Sequence, residues 1–237
     1  MNLPDALLSP PIAHRGLWSP GEAPENSLTA FERACQAGYG LEFDVRLSSD
    51  GEAMVFHDDS LERMTGEEGA IEALTARELA TLPLLGGPDR IPSLAEALAL
   101  VDGRAMLLVE IKGGGGGDIG ALAARTSELL HHYRGPCAVI SFEADALAWT
   151  AVHRPNLPRG LDAMWLERAG SEATFERSCD LADPQFLVLE LGSVLAPAVT
   201  RRRRDGMPVI AWTVRSPEDA AKVADDCDNF IFEGFTS

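Results

Sequence analysis

Short β-rich runs alternate with amphipathic stretches along almost all of this 237-residue chain. That alternation constrains the fold more than any other feature. Candidate strands fall at residues 12–14, 41–47, 106–111, 137–141, 160–165, 186–190, 208–214 and 229–232. Helical periodicity fills 27–37, 93–101, 119–132, 144–153, 172–179, 196–204 and 217–224. Eight strands with helices between them predict an α/β fold, a closed parallel (β/α)8 TIM barrel. The glycine fingerprint of a doubly wound open sheet is missing. One region breaks the rhythm. Residues 53–56 form an extra short strand, and about 58–92 reads as a small insertion after the second strand, capping one end of the barrel. The chain, 1–237, therefore reads as a single domain. The five-glycine run at 113–117 reads as a flexible loop with the makings of a lid.

An apolar share of 46% is enough for a sizeable core, and the net charge is −17. Such a surface repels nucleic acid and anionic membranes, so neither is an expected partner and no stable membrane association is expected. A small diester with one negative charge remains admissible if the site supplies local cations. Cys35, Cys137, Cys179 and Cys227 are far apart with no CxxC pair, which suits buried reduced thiols rather than zinc. The N-terminus has neither the basic start nor the apolar run of a secretory signal, so a cytoplasmic protein is expected. Trp149 and Trp165 read as core or interface residues. The sequence says nothing of oligomeric state.

The chemistry begins at LEFDV. Side chains at i and i+2 of a strand share a face, so Glu42 and Asp44 point together into the barrel mouth. Two carboxylates side by side in a dry site require a cation or a proton. In VEIK, Glu110 shares a face with Lys112. Three acidic donors converging at the mouth suit one hard divalent cation, Mg²⁺ or Ca²⁺. Ordinary ion pairing is the bland alternative, because Arg46 shares a face with Asp44. His14 in AHRG and His57 in FHDD end strands beside these acids. Imidazole titrates near neutrality, so one ring can take a proton while the other gives one. Arg15 presents a planar fork and Lys112 a compact charge for a phosphate. Gly16 would let the backbone approach a ligand closely. In PENS, Asn26 or Ser27 is a candidate N-cap, and Glu25 with Asn26 could brace the site.

Taken in order, AHRG, PEN, EFDVRLSSDG, FHDDSLERMTG, IPSLAEAL, VEIK, ISFEADALAWTAVHRPNLPRG and PVIAWTV resemble the glycerophosphodiester phosphodiesterase family. The resemblance runs from about Ile12 to the C-terminus. It implies a (β/α) barrel with a small insertion after the second strand. It also implies a divalent ion held by Glu42, Asp44 and Glu110, an acid–base pair of His14 and His57, and phosphate binding by Arg15 and Lys112. Trp212 and Phe142 would line the substrate pocket. The implied reaction hydrolyses a small-molecule glycerophosphodiester to glycerol 3-phosphate and an alcohol. The chain departs from the family pattern in its longer LWSPGEA link, in Ser27 for threonine, in Arg215 where asparagine is usual, and in the ending DNFIFEGF. These departures cluster near the expected pocket and bear on head-group preference.

Other readings stay open at this level. The nucleophile is water or a neighbouring glycerol hydroxyl. The substrates extend to lysophospholipids or related choline phosphodiesters if an apolar groove adjoins the site. Lys112 could instead form a Schiff base, or the chain could be a phosphodiester-binding module without turnover.

Overall fold

The structure, a computed structural model, describes residues 3–114 and 116–235. Among these, nine strands make one sheet: β1 (Ile12–His14), β2 (Gly40–Leu47), β3 (Ala53–Val55), β4 (Leu107–Ile111), β5 (Cys137–Ser141), β6 (Arg159–Ala163), β7 (Phe186–Glu190), β8 (Val209–Val214) and β9 (Asn229–Phe232). Eight of them pair in parallel, and the ring closes where β1 meets both β2 and β9. The fold is the expected (β/α)8 TIM barrel. β3 lies outside the ring, antiparallel to the end of β2, with Val45 opposite Val55.

The alternation of strand side chains explains how one ring of strands holds both a core and a site. Ile12, Leu108, Ile140, Val188, Ile210 and Ile231 face inward and pack together as an apolar plug. Leu7, from the segment before β1, joins the same cluster from below. Asn229 ties that segment down by donating to the carbonyls of Leu7 and Pro10, both at 2.9 Å. Two residues further along each strand the inward positions become His14, Glu110, Phe142, Glu190, Trp212 and Glu233. Chemistry therefore sits at the C-terminal mouth and packing beneath it, the usual division in this fold. The outward residues of the strands bury against α1 (Leu28–Ala37), α4 (Leu94–Val101), α5 (Ile119–His132), α6 (Ala144–His153) and α7 (Ser171–Ala182). In the same way α8 (Pro197–Arg204) and α9 (Pro217–Val223) cover the last strands.

The stretch 58–92 is more ordered than its sequence suggests. It carries α2 (Glu62–Thr65) and α3 (Ala76–Leu79) with short 3-10 turns between and after them. Phe56, Leu61, Met64, Ile71, Leu79, Leu84 and Ile91 bury one another together with Met54. Each such side chain contributes about 2 kcal/mol on leaving water, enough to hold a short irregular segment in place. In the glycine run, Gly115 lies outside the described residues. Gly113 is tethered: its carbonyl accepts from Arg46 at 3.3 Å, and a Cβ there would strike the Glu143 side chain. No described helix is long and apolar enough to cross a membrane.

Candidate active site

β2 and β4 lie in register with Asp44 beside Glu110, and β1 places His14 beside Glu42. Those pairings, with the inward phase of each strand, bring the three acids together. One carboxylate oxygen from each of Glu42, Asp44 and Glu110 lies within 4.8 Å of the others. The three are only 2%, 1% and 8% exposed, so water cannot screen them. At an effective dielectric of 20, two unit charges 4 Å apart repel by about 4 kcal/mol.

Two cations offset part of this. Lys112 Nζ is 2.9 Å from Glu110 and 3.6 Å from Asp44. Arg15 Nε is 3.5 Å from Asp44, and its guanidinium donates to Glu25 at 2.7 Å. The Arg15 backbone, held at φ 55°, turns its N–H onto Glu42 at 3.0 Å. Asn26 donates to Asp44 at 2.8 Å. It can do so because Ser27, not Asn26, caps α1 by accepting from Ala30 N–H. Gly16 serves helix packing rather than ligand approach: with φ 81°, a Cβ there would meet Ala30 and Phe31 at 2.9 Å. Arg46, the expected ordinary partner of Asp44, goes elsewhere. It pairs with Asp59 at 2.5 Å and donates to the His57 carbonyl at 2.7 Å, which fixes the backbone of that histidine.

The balance leaves the cluster short of positive charge. Burial, then the charges of Asp44 and Glu110, holds Glu42 well above the usual carboxylate range. Burial and Asp44 push Glu110 from 4.5 to about 7. Burial would raise Asp44 too, but Lys112, Arg15 and His57 together outweigh it and lower that group. Asp44 Oδ1 is buried and accepts no hydrogen bond. A buried hard oxygen that accepts no hydrogen bond, beside two carboxylates whose charged forms are disfavoured, fits a divalent cation with oxygen ligands.

A stability prediction follows. Between about 4.5 and about 7 the native chain keeps a proton on Glu110 that the unfolded chain has released, so stability falls as pH rises through that window. His57, lowered chiefly by burial, works in the opposite sense, but only below its usual 6.5. Thermal unfolding in EDTA is expected at a lower temperature at pH 8 than at pH 5.5, with Mg²⁺ closing the gap. A melting temperature that rises with pH in EDTA would contradict this.

Each histidine is fixed through Nδ1. His14 Nδ1 lies 2.6 Å from Glu233, and the other Glu233 oxygen accepts from Arg215 at 2.8 Å. His57 Nδ1 lies 2.7 Å from Asp58, which accepts from Arg63 at 2.5 Å. Arg63 also donates to Glu25, linking this pair to Arg15. Both carboxylates drop to about 2: burial opposes, but hydrogen bonds and charge from the histidine and arginine partners prevail. The arrangement leaves both Nε2 atoms for the mouth, and that of His14 is 3.8 Å from Glu42. A cavity of about 240 Å³ collects His14, Arg15, Glu42, His57, Glu110 and Lys112. Phe142 and Trp212 line it too, their rings edge to face at 5.8 Å, with Lys112 Nζ 5.9 Å from the Phe142 ring centroid.

Residues 14–226 match the glycerophosphoryl diester phosphodiesterase family. The chain belongs to that family. It is 27% identical over 235 residues to the glycerophosphodiester phosphodiesterase of Caldanaerobacter subterraneus subsp. tengcongensis, covering 90% of this chain and 88% of the relative. A solved Oleispira antarctica phosphodiesterase, in complex with the product sn-glycerol-3-phosphate, shares the fold at a TM-score of 0.83 and 27% identity, over 96% of this chain and 94% of that one. The Thermotoga maritima glycerophosphodiester phosphodiesterase gives 0.75 and 27%, over 93% and 92%.

Three acids of this glycerophosphoryl diester phosphodiesterase family member escaped the motif reading. Glu233 and Asp58 hold the histidines. Asp162 lines the cavity at 5% exposure with Oδ2 unpartnered, and burial followed by the Glu110 charge keeps it well above the usual range. Inward phase could have found two of them: Asp162 lies two residues after Gly160 on β6, and Glu233 two after Ile231 on β9. Trp165 is not a core residue. It is 45% exposed, just beyond β6, with Arg168 over its ring.

Proposed function

We propose that this chain hydrolyses glycerophosphodiesters to glycerol 3-phosphate and an alcohol, using one divalent cation, Mg²⁺ or Ca²⁺, held by Glu42, Asp44 and Glu110. The observation that carries this reading is the buried carboxylate trio flanked by two histidines, each turned by its own carboxylate, in a chain of this family. The product bound to the Oleispira antarctica relative supports a small glycerol phosphate as the ligand.

The bound cation would polarise the phosphoryl group and offset the charge that grows on it. Arg15 and Lys112 hold the non-bridging oxygens and keep phosphorus in line with its attacker. One histidine Nε2 takes a proton from the nucleophile, water or a neighbouring glycerol hydroxyl, and the other delivers one to the departing alkoxide. Glu25 and Asn26 keep Arg15 and Asp44 in position, while Trp212 and Phe142 wall the substrate and exclude water. The insertion at about 58–92 acts with the barrel as one catalytic domain, since it supplies Asp58 and Arg63. Four free thiols suit a reducing compartment, in line with a cytoplasmic site of action.

The test is release of glycerol 3-phosphate, matched mole for mole by alcohol, from glycerophosphocholine, glycerophosphoethanolamine and glycerophosphoglycerol with Mg²⁺ or Ca²⁺ present. Release from none of the three would overturn the reading. A second expectation concerns Glu233. Glu233→Gln keeps the shape but weakens the hold on His14, and is expected to lower kcat by about 10–100-fold with KM little changed. Glu233→Asp should recover part of that loss. A rise in KM alone would assign Glu233 to substrate binding instead.

A further inference from the structure

A second cavity of about 390 Å³ opens beside the first and shares Phe142, Asp162 and Met164 with it. Its walls come from the end of β6 and from α7. Leu161 and Phe175 are buried there, and Ala163 and Leu166 complete an apolar surface. The loop that shapes it is fastened to the end of β7. Trp165 N–H donates to Glu190 at 3.0 Å, and Leu166 N–H donates to Ser193 Oγ at 3.0 Å. Trp165 is held at φ 57°, a left-handed conformation that a bulky residue keeps only when its surroundings impose it. At the junction of the two cavities sits Asp162 with its unpartnered oxygen.

We propose that this cavity receives the alcohol half of the diester and selects an apolar alcohol over choline. The inference rests on the hydrolase reading above. The first cavity joins charged groups that suit the phosphate to Phe142, Met164 and Trp212, and at about 240 Å³ it is the smaller of the two, so the other half extends into the neighbouring space. The continuous one is apolar. An aromatic face could in principle hold a quaternary ammonium. Here that face is already taken: the Arg168 guanidinium stands 4.2 Å from the Trp165 ring centroid, and among the described residues it has no carboxylate partner. A second cation would be repelled, whereas a neutral hydrocarbon arm gains contact with the ring edge, Phe142 and Phe175.

The experiment compares glycerophosphocholine with the n-hexyl diester of glycerol phosphate, using the wild-type chain, Ser178→Phe and Thr174→Phe. Ser178 and Thr174 line the second cavity from α7 and lie outside the catalytic machinery. Wild-type kcat/KM for the hexyl diester is expected to exceed that for glycerophosphocholine by about tenfold or more. Both fillings should erase the margin by lowering turnover of the hexyl diester, with glycerophosphocholine turnover changed far less. The second variant keeps the test decisive if the first does not fold. Equal wild-type turnover of the two diesters overturns the proposal, as does a margin that survives both fillings. A margin seen only with a short-chain lysophosphatidylcholine, whose apolar arm sits on the glycerol half, also overturns it. Loss of turnover on every diester by the wild-type chain would instead sink the hydrolase reading itself.

Discussion

Asp44→Asn is expected to lower hydrolysis of glycerophosphocholine by about a thousandfold or more and to abolish divalent-cation binding by calorimetry. Asp44 sits among Glu42, Glu110, Arg15 and Lys112. Its Oδ2 takes Asn26 at 2.8 Å and faces Arg15 at 3.5 Å, while its Oδ1 lies 3.6 Å from Lys112 and accepts no hydrogen bond. The amide keeps the shape of the side chain but removes the charge and turns one acceptor into a donor. Arg15 and Lys112 then lose a counter-ion, while Glu42 and Glu110 lose a source of repulsion. The fold should survive, because Asp44 belongs to the mouth and the apolar plug lies beneath it. Unchanged cooperative melting together with lost binding is the expected combination. A variant that still binds one dication with wild-type affinity would remove Asp44 from the ligand set.

His14→Ala and His57→Ala are each expected to cost about 10²–10⁴-fold in kcat while leaving glycerol 3-phosphate affinity nearly unchanged. Their Nδ1 atoms are engaged by Glu233 and Asp58, which leaves each Nε2 for the mouth, where the proposed mechanism uses it as a proton carrier. Two groups serving one proton-transfer sequence are not additive, so the double variant should be little worse than the more damaging single one. A double variant whose loss equals the product of the two single losses would show that the rings work independently. Binding that collapses along with turnover would assign them to holding the substrate.

The barrel was legible because strand and helix periods alternate along the chain outside residues 53–92, and because i, i+2 spacing alone aims Glu42 with Asp44 and Glu110 with Lys112. Motif order did the rest for His14 and His57. What escaped was coupling across strands. Arg215 and the ending DNFIFEGF, which carries Glu233, read as two departures near the expected pocket, yet Arg215 and Glu233 form one pair whose carboxylate holds His14. They are 18 residues apart; the parallel pairing of β8 with β9 makes them adjacent, and closure of the ring at β1 brings His14 to them. Asp58 was visible within FHDD, but nothing local says that its carboxylate turns back onto the preceding histidine. Of the core or interface reading of Trp165, the core half fails because the chain turns left-handed just beyond β6 and exposes the ring. The stretch 58–92 looked irregular because its helices are a single turn each, too short to show a period.

The account depends on a dication resolving the crowding of Glu42, Asp44 and Glu110. Its most direct test is a calorimetric titration of the EDTA-stripped chain with Mg²⁺ and with Ca²⁺, alongside release of glycerol 3-phosphate. Turnover should vanish on stripping and return in step with the binding of one ion per chain. Undiminished turnover in excess chelator would contradict the account.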